Sequence, residues 1–362
     1  MLAISKYLTL SSRISSRLLN TFSINGVSES IVEKKDYPRW KVLKNLKHKK
    51  IGVIGYGPQG KSQSLNLRDN NLDVIVGTRK GESFDEAYRD GWRKDLSLFS
   101  IEETVEKSDR VMCLLSDTGM MMQWPKIESL LRPEQTLYFS HGFSVVYKDR
   151  TNVIPPNNVD VVMVAPKGAG ISVREKFTRG EGINVSYAVY NDYTGKAEET
   201  CLSLAFGIGC GHAFKTTFEN EVYSDLVGER SVLMGMIQGA FSAQYEVLRE
   251  RGHSPSEAYN ETVEEALVSL YPLISEKGMD WLYANCSTTA QRGALDWAPK
   301  FNKAIKPVIE ECYDSVINGQ ETQNVIDANS DENYREKLNK ELSDMSDKEL
   351  WRVAKILRGL RN

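Results

Sequence analysis

The chain has few cysteines, no long hydrophobic run and no strong net charge, and each shortage excludes a class of protein. No stretch is apolar for long enough to cross a membrane, so we expect no membrane partner. A net charge of -3 over 362 residues argues against a nucleic acid as the main partner. The 5 Cys are scattered and have no metal-type spacing, which favours reduced thiols over a disulfide framework. A hydrophobic content of 41% is typical of a globular chain, and the length allows two domains.

Acidic residues are missing from the first 28 residues, which differ in kind from the rest. This segment holds Lys6, Arg13 and Arg17 among many Ser and Leu, and the first acid is Glu29. Because Ser and Arg interrupt the apolar residues, the segment is typical of an amphipathic import peptide and not of a secretory signal. A disordered or cloning-derived tail is the alternative. We predict a targeting peptide and a location in the mitochondrial matrix, which we prefer over a plastid.

A glycine-rich turn follows the first clear apolar strand and opens a polar helix. The spacing Gly55-x-Gly57-x-x-Gly60 in this strand, turn and helix context is the dinucleotide-binding fingerprint. The first glycine allows the tight turn, the second lets the backbone approach a pyrophosphate, and the third lets helix and strand pack closely. The predicted cofactor-binding residues of this turn are Gly55, Tyr56, Gly57, Pro58, Gln59 and Gly60.

The second predicted strand is followed by a basic turn. An NAD enzyme usually places an acid here against the ribose 2′-hydroxyl. Arg79, Lys80 and Ser83 stand there instead, and they suit a 2′-phosphate. An ordinary solvated basic turn is the alternative. The position after the second strand favours NADP, so we predict NADPH as the cofactor.

Polar residues also follow three later predicted strands. Ser116 and Asp117 follow one strand, His141 follows the next, and Lys167 follows the third. In an open parallel sheet, ligands bind beyond the carboxyl ends of the strands, where loop residues are often functional. A local backbone role for the histidine and a solvated loop position for the lysine are the alternatives. We predict that Ser116, Asp117 and His141 bind the cofactor, and that His141 and Lys167 are catalytic.

Two later helical patterns carry paired carboxylates. Asp225 and Glu229 stand at i, i+4 on the first, and Glu261 and Glu265 do so on the second. Like charges in otherwise apolar helices are costly unless a cation lies between them, and hard divalent cations prefer carboxylate oxygens. Solvated helix faces are the alternative. Four carboxylates from two facing helices could hold two divalent cations.

These patterns predict an α/β fold, with an N-terminal Rossmann-type doubly wound parallel sheet followed by an all-α C-terminal domain. We expect a targeting peptide at residues 1–28, an NADP-binding domain at 29–194, a helical domain for metal, substrate and dimerisation at 195–330, and a charged helix at 331–362. One dinucleotide domain is too small to cover all apolar positions of the helical half. A homodimer or higher oligomer is therefore expected.

Several motifs together resemble ketol-acid reductoisomerase, the acetohydroxy-acid isomeroreductase of branched-chain amino-acid synthesis. They are the glycine-rich turn, Phe139-Ser-His-Gly-Phe143, Val164-Ala-Pro-Lys-Gly168, Ser224-Asp-Leu-Val-Gly-Glu229, Asn260-Glu-Thr-Val-Glu-Glu265 and Cys286-Ser-Thr-Thr-Ala290. The resemblance covers nearly everything after residue 28. The leader and the helical half look most like the short mitochondrial form of fungi and similar eukaryotes.

The resemblance implies two Mg²⁺ ions and a site shared between subunits. Asp225 would bridge the two ions, and Glu229 would complete the site of one of them. Glu261 and Glu265 would serve the second ion. In short members of the family the metal-binding helices pair across a two-fold dimer. The first pair of carboxylates would then come from one chain, and the second pair, with Ser287, from the other.

The resemblance also implies the reaction. The substrate is a small 2-hydroxy-3-keto acid, either 2-acetolactate or 2-aceto-2-hydroxybutanoate, which undergoes alkyl migration and then reduction by NADPH to a 2,3-dihydroxy acid. Ser287 would hydrogen-bond the substrate carboxylate, while His141 and Lys167 would line the nicotinamide side. Glu265 would also lie near the substrate, so Asp225 and Glu265 are predicted to be catalytic together with His141 and Lys167.

Two other functions remain open. A metal-free β-hydroxyacid dehydrogenase also joins a dinucleotide domain to helices and uses a lysine, but it leaves both acidic pairs unexplained. Activity that survives EDTA would favour it. A non-catalytic NADPH-binding sensor or scaffold would bind the cofactor without turnover.

Overall fold

The computed structural model describes residues 20–361, which form two units. Among the described residues, the sheet unit comprises residues 20–145 and Val153–Phe218, and the helical unit comprises Val146–Asn152 and residues 219–361. Residues 1–19 of the predicted targeting peptide lie outside the described residues. Among the described residues, no helix combines the length and apolar character needed to cross a membrane.

A ten-stranded sheet organises the sheet unit, in the order β1-β2-β10-β9-β8-β7-β6-β3-β4-β5. The strands are β1 (Asn20–Ile24), β2 (Val27–Glu33), β3 (Ile51–Ile54), β4 (Val74–Gly77), β5 (Leu98–Phe99), β6 (Arg110–Cys113), β7 (Thr136–Phe139), β8 (Asp160–Pro166), β9 (Ile183–Asn191) and β10 (Cys210–Lys215). The run from β5 to β8 is entirely parallel. It has the strand order 3-2-1-4-5-6 of a Rossmann sheet, so the predicted fold class is confirmed.

Helices cover both faces of this sheet, and the central strands are therefore apolar on both sides. The first nine helices are α1 (Arg39–Leu46), α2 (Pro58–Asp69), α3 (Glu82–Arg89), α4 (Ile101–Lys107), α5 (Asp117–Leu130), α6 (Phe143–Val146), α7 (Lys148–Thr151), α8 (Gly170–Thr178) and α9 (Ala197–Gly207). All residues of β3, β4 and β7 are buried. Such continuous apolar runs are typical of parallel strands enclosed by helices.

The far side of the sheet is mixed, which differs from the purely parallel sheet expected. β9 pairs antiparallel with β8, and β2 pairs antiparallel with β10 and with β1. The hairpin of β1 and β2 turns at Asn25 and Gly26, both with positive φ. Asn-Gly is the strongest short hairpin signal, because a type I′ turn needs positive φ at both positions. Residues 20–28 were expected to belong to the leader, and they instead lie in or beside this hairpin.

The boundary between the units also differs from the one expected at residue 195. α9 and β10 come after that position, yet β10 pairs with both β9 and β2, so the sheet unit continues to Phe218. Only two positions of the strand Cys210–Lys215 are buried, so this strand does not need the continuous apolar run of the central strands. Its sequence lacks that run and therefore gives no clear strand signal.

The helical unit contains α7, α10 to α18 and two π-helical turns. The helices are α10 (Phe218–Arg230), α11 (Gly235–Glu250), α12 (Pro255–Tyr259), α13 (Tyr271–Lys277), α14 (Met279–Ala284), α15 (Thr288–Ile317), α16 (Gln320–Ser330), α17 (Tyr334–Ser346) and α18 (Glu349–Gly359), and the π turns are Asn260–Glu264 and Ala266–Leu270. Phe241, Tyr245, Tyr259 and Val263 form a core with Leu350 of α18.

The C-terminal segment differs from the single charged helix expected at 331–362. It forms α17 and α18, and α18 buries Leu350 and Ala354 in the core of the helical unit. Trp351 packs against the same core. A stripe of apolar residues at helical spacing within a charged sequence accounts for this burial.

Candidate active site

The glycine-rich turn joins β3 to α2 with the geometry that its spacing predicts. Gly55 has φ +96°, and a Cβ there would lie 2.4 Å from the Leu114 carbonyl oxygen. A Cβ on Gly60 would lie 2.2 Å from the Gly55 carbonyl oxygen. A Cβ on Gly57 would meet nothing within 4 Å, so this position is open to a ligand. α2 starts at Pro58 with Gly57 as its N-cap, and its first N–H groups form an anion-binding terminus.

Tyr56 points into the sheet unit instead of toward a ligand. Its ring is 2% exposed, its hydroxyl donates to Asp90 Oδ2 at 2.8 Å, and it accepts a hydrogen bond from Trp92 Nε1 at 2.9 Å. Burial, followed by the hydrogen bond to Asp90, raises the pKa of Tyr56. Lys61 Nζ completes the cluster at 3.0 Å from Asp90. Cofactor binding by Tyr56 would therefore use its main chain, while its side chain anchors the turn.

Sequence reasoning missed Asp90 and Trp92 as supports of the glycine-rich turn. They lie more than thirty residues further along the chain, and neither matches a motif. The buried tyrosine hydroxyl needs hydrogen-bonding partners, but the sequence gives no sign of which residues provide them.

The basic turn lies at the carboxyl end of β4. Arg79 and Lys80 are exposed, and within the described residues neither forms an ion pair. Both line a cleft of about 310 Å³ between the ends of β4 and β5. Ser83 lies in the first turn of α3 and is partly buried. The cleft therefore presents two available cations beside the strand that follows the glycine-rich turn.

Ser116 and Asp117 begin α5 at the carboxyl end of β6. Ser116 is the N-cap, and its Oγ accepts a hydrogen bond from the Gly119 N–H at 3.3 Å. Burial raises the pKa of the Asp117 carboxyl, and the imidazole of His141 opposes that rise. The predicted residues at the ends of β6 and β7 are therefore close enough to interact electrostatically.

His141 and Lys167 lie at the ends of neighbouring strands. β7 and β8 pair in parallel, so the segments that follow them emerge at the same edge of the sheet. His141 is partly buried, with its ring 6.2 Å from that of Phe143. Lys167 is exposed, and its main-chain N–H donates to the Asn184 carbonyl oxygen at 2.8 Å. The structure brings these two residues to the edge that also carries the glycine-rich turn.

Three carboxylates follow one another along α10. Asp225 is partly buried, Glu229 is exposed, and Glu221 is 2% exposed one turn before Asp225. Glu229 Oε2 lies 3.8 Å from Arg230 Nη1. Sequence reasoning missed Glu221, although the i, i+4 spacing that identified the other two extends back to it.

Glu261 and Glu265 do not lie on a regular α-helix as expected. Glu261 belongs to the first π turn, and Glu265 is its C-cap, with its N–H donating to the carbonyl oxygen of Asn260, five residues earlier. A π turn adds a residue to the helical turn, and such turns are frequent at functional sites. Both side chains are exposed. Among the described residues, Asp225, Glu229, Glu261 and Glu265 are not gathered into one cluster of metal-ligating atoms.

Ser287 is the N-cap of α15. Its Oγ accepts a hydrogen bond from the Ala290 N–H at 3.2 Å, and its side chain is exposed. An oxygen that accepts this bond keeps its own hydrogen for an outside acceptor. The position can therefore cap the helix and donate to a carboxylate at once.

Comparison with known proteins matches both units to one family. Residues 45–213 match the family model described as acetohydroxy acid isomeroreductase, NADPH-binding domain. Residues 218–362 match the model described as ketol-acid reductoisomerase, C-terminal domain.

Individual relatives agree with these matches. The chain is 54% identical to the mitochondrial ketol-acid reductoisomerase of Saccharomyces cerevisiae, over 96% of this chain and 88% of the relative. It is 52% identical to the ketol-acid reductoisomerase (NAD(+)) of Desulfosudis oleivorans, over 94% of this chain and 97% of that one. A solved NADH-preferring ketol-acid reductoisomerase from an uncultured archean superposes with a TM-score of 0.81 at 28% identity, covering 91% of this chain and 98% of its own.

Proposed function

Because the chain belongs to the ketol-acid reductoisomerase family, we propose that it converts 2-acetolactate or 2-aceto-2-hydroxybutanoate to the corresponding 2,3-dihydroxy acid with NADPH and Mg²⁺. This reaction serves valine and isoleucine synthesis. The observation that carries the proposal is that the two family models together span residues 45–213 and 218–362, both units of the structure. The metal-free dehydrogenase leaves both acidic pairs unexplained, and the non-catalytic scaffold gives Asp225 and Glu229 no role.

The glycine-rich turn and the basic turn would hold the cofactor. The N-terminus of α2 would bind the pyrophosphate, because Gly57 leaves its backbone open. Arg79 and Lys80 would bind the 2′-phosphate, with Ser83 as a further hydrogen-bond donor. NADPH supplies the hydride when it is bound. One relative is named for NAD(+), so the NADPH preference rests on these side chains.

Asp225, Glu229, Glu261 and Glu265 would hold two Mg²⁺ ions. The donor set fits, because all four offer carboxylate oxygens, which hard divalent cations prefer. Bound ions would act as Lewis acids on the two substrate oxygens. Glu221 adds a buried carboxylate one turn before Asp225 on the same helix.

Three polar side chains would handle the substrate and its protons. Lys167 Nζ would hold or release a proton beside the substrate, and its exposed position lets it reach one. The hydroxyl of Ser287 would donate to the substrate carboxylate while still capping α15. His141 would line the nicotinamide side, next to the partly buried Asp117.

The active site would be shared between two subunits of a homodimer. The helical unit exposes many apolar side chains, which a twin could cover. Examples are Val232, Leu233, Met234, Leu267 and Val268, together with Leu295, Trp297, Phe301 and Val308 of α15. A second chain would also bring Glu261 and Glu265 to the partner's Asp225 and Glu229, which one chain does not gather into a single cluster.

We place the enzyme in the mitochondrion. The relatives from Saccharomyces cerevisiae and Neurospora crassa are both named as mitochondrial enzymes. The first 28 residues have the composition of an import peptide. β1 starts at Asn20 and extends the sheet, so removal of the leader would need to end before that residue.

One assay tests the proposed function. NADPH oxidation is followed with 2-acetolactate, with Mg²⁺ and with excess EDTA. Turnover that requires Mg²⁺ is expected. Turnover that survives EDTA would favour the dehydrogenase, and NADPH binding without turnover would favour the scaffold.

A further inference from the structure

A buried ring of hydrogen bonds joins α2 to the carboxyl end of β7. Gln63 Nε2 donates to Ser140 Oγ at 2.7 Å, Ser140 Oγ lies 3.3 Å from the Tyr138 hydroxyl, and that hydroxyl donates to Gln63 Oε1 at 2.7 Å. Gln63 and Tyr138 are both 0% exposed. Each hydroxyl in the ring accepts one bond and donates the next. The orientation of the Gln63 amide is set by Gln59. Gln59 Nε2 donates to the Gly168 carbonyl oxygen, so Gln59 Oε1 faces Gln63 and accepts from Gln63 Nε2.

The ring extends to a third segment through Gln59. The second N–H of Gln63 Nε2 donates to Gln59 Oε1 at 2.9 Å, and Gln59 Nε2 donates to the Gly168 carbonyl oxygen at 3.2 Å. Gln59 belongs to the glycine-rich turn, and Gly168 follows Lys167 directly. The Ser140 end of the ring stands beside His141. One hydrogen-bonded network thus connects the glycine-rich turn with both segments that carry the proposed catalytic residues.

The backbone holds the same elements together at a second point. A Cβ on Gly170, the first residue of α8, would lie 2.3 Å from the Pro58 carbonyl oxygen. The starts of α2 and α8 therefore touch backbone to backbone. With the main chains packed this closely, the network has little freedom to shift unless the turn shifts with it.

Burial keeps the network in one state. It raises the pKa of Tyr138, so the hydroxyl stays protonated and remains a donor. A fully satisfied buried polar network makes its surroundings rigid and specifies a single arrangement. An apolar cluster could fill the same space, but it would leave the relative positions of three loops less defined.

We propose that Gln63, Tyr138 and Ser140 are positioning residues, which hold the His141 and Lys167 segments at a fixed spacing from the glycine-rich turn. The proposal rests on the proposed function, because it assigns these segments to the reaction. The three side chains act through the main chain of Ser140 and Gly168, and their hydrogen bonds go to protein atoms. Loss of the ring should therefore slow turnover more than it weakens cofactor binding.

Tyr138→Phe tests the proposal, because it removes the ring's hydroxyl and keeps the aromatic ring. Tyr37→Phe is a matched control. Tyr37 is 3% exposed, and its hydroxyl lies 2.7 Å from Ser203 Oγ and accepts from Asn45 Nδ2 at 3.3 Å. Both substitutions remove a buried hydroxyl from a cluster of tyrosine, serine and amide. Only Tyr138 lies beside the proposed site.

We expect both substitutions to lower the thermal midpoint, and only Tyr138→Phe to lower kcat, by about tenfold. The NADPH dissociation constant should change by less than about threefold, because the glycine-rich turn keeps its own backbone geometry. Ser140→Ala removes the middle link without altering the buried aromatic ring, and it should reproduce the loss of kcat if Tyr138→Phe folds poorly. Equal kcat values for Tyr138→Phe, Ser140→Ala and Tyr37→Phe would overturn the positioning role.

An NMR measurement separates this result from a failure of the proposed function. The wild-type His141 imidazole signal, assigned with His141→Gln, should shift on addition of NADPH. The shift should be altered in Tyr138→Phe and preserved in Tyr37→Phe. If wild-type protein does not turn over 2-acetolactate, the proposed function fails, and this comparison still decides the positioning role. Identical NADPH-induced shifts in both variants would overturn it.

Discussion

Replacing Arg79 and Lys80 by Asp should abolish the proposed preference for NADPH over NADH. Both side chains are exposed at the carboxyl end of β4 and line the cleft beside it. The double substitution removes two positive charges and places two carboxylates where the 2′-phosphate would bind. NADH lacks that phosphate, so its binding should change little.

The size of this change in cofactor preference follows from the loss of charged hydrogen bonds to the 2′-phosphate. Each is worth about 1.5–3 kcal/mol, and the lower value suits exposed side chains. Two such bonds give about 3 kcal/mol, which corresponds to roughly 150-fold in the ratio of kcat/KM for NADPH to that for NADH. Repulsion between the new carboxylates and the phosphate adds to this value. Because the charges are solvent-exposed, the wild-type preference should also weaken as salt is raised.

The assay compares kcat/KM for NADPH and NADH in wild type and in the double variant. Arg335→Asp with Lys340→Asp is the control, because it makes the same change in charge on exposed positions of α17 in the helical unit. The control should leave the ratio unchanged. An unchanged ratio in the Arg79 and Lys80 double variant would refute the assignment of the 2′-phosphate site.

Three further outcomes are expected. Asp225→Asn should abolish Mg²⁺-dependent isomerisation and leave NADPH binding intact, since an amide cannot replace the charge of a bridging carboxylate. Fluorescence titration measures NADPH binding and a turnover assay measures the reaction. Near-normal turnover would contradict the metal site. Mixing inactive Asp225→Asn chains with inactive Glu265→Gln chains under subunit exchange should partly restore activity, because one of the two heterodimer sites would then carry only wild-type residues. If exchange is verified and no activity returns, the shared site is excluded. Glu321→Gln should destabilise the protein at neutral pH, because the hydrogen bond from Arg230 at 2.8 Å lowers the pKa of Glu321. The stabilisation from this bond is full above the ordinary Glu pKa and is lost as the pH falls through the lowered pKa. The urea midpoints of wild type and variant should therefore converge in acid.

Part of the fold could be predicted because its signals are local. The apolar run of β3, the glycines of the turn and the polar start of α2 are consecutive in the sequence, and their backbone requirements identify a Rossmann unit. The hairpin signal Asn25-Gly26 was equally local. It was missed because the leader composition assigned those residues to another role.

Other parts of the site could not be predicted, because they depend on partners distant in sequence. The acidic spacing identified Asp225 and Glu229, but nothing in the sequence marks the π turn that carries Glu261. The hydrogen-bonding residues of Tyr56 lie beyond the next strand. Gln63 and Tyr138 are 75 residues apart, and neither belongs to a motif.

The sequence by itself determined the strand, turn and helix that would bind the dinucleotide, the basic turn after the second strand and the acidic spacing of α10. These features depend on consecutive backbone angles and on the chemistry of single side chains. Only the tertiary structure decided that the sheet is mixed, that Tyr56 faces inward, and that Gln63, Tyr138 and Ser140 close a ring. Those arrangements depend on strand order and register, which bring distant residues together and which no local pattern encodes.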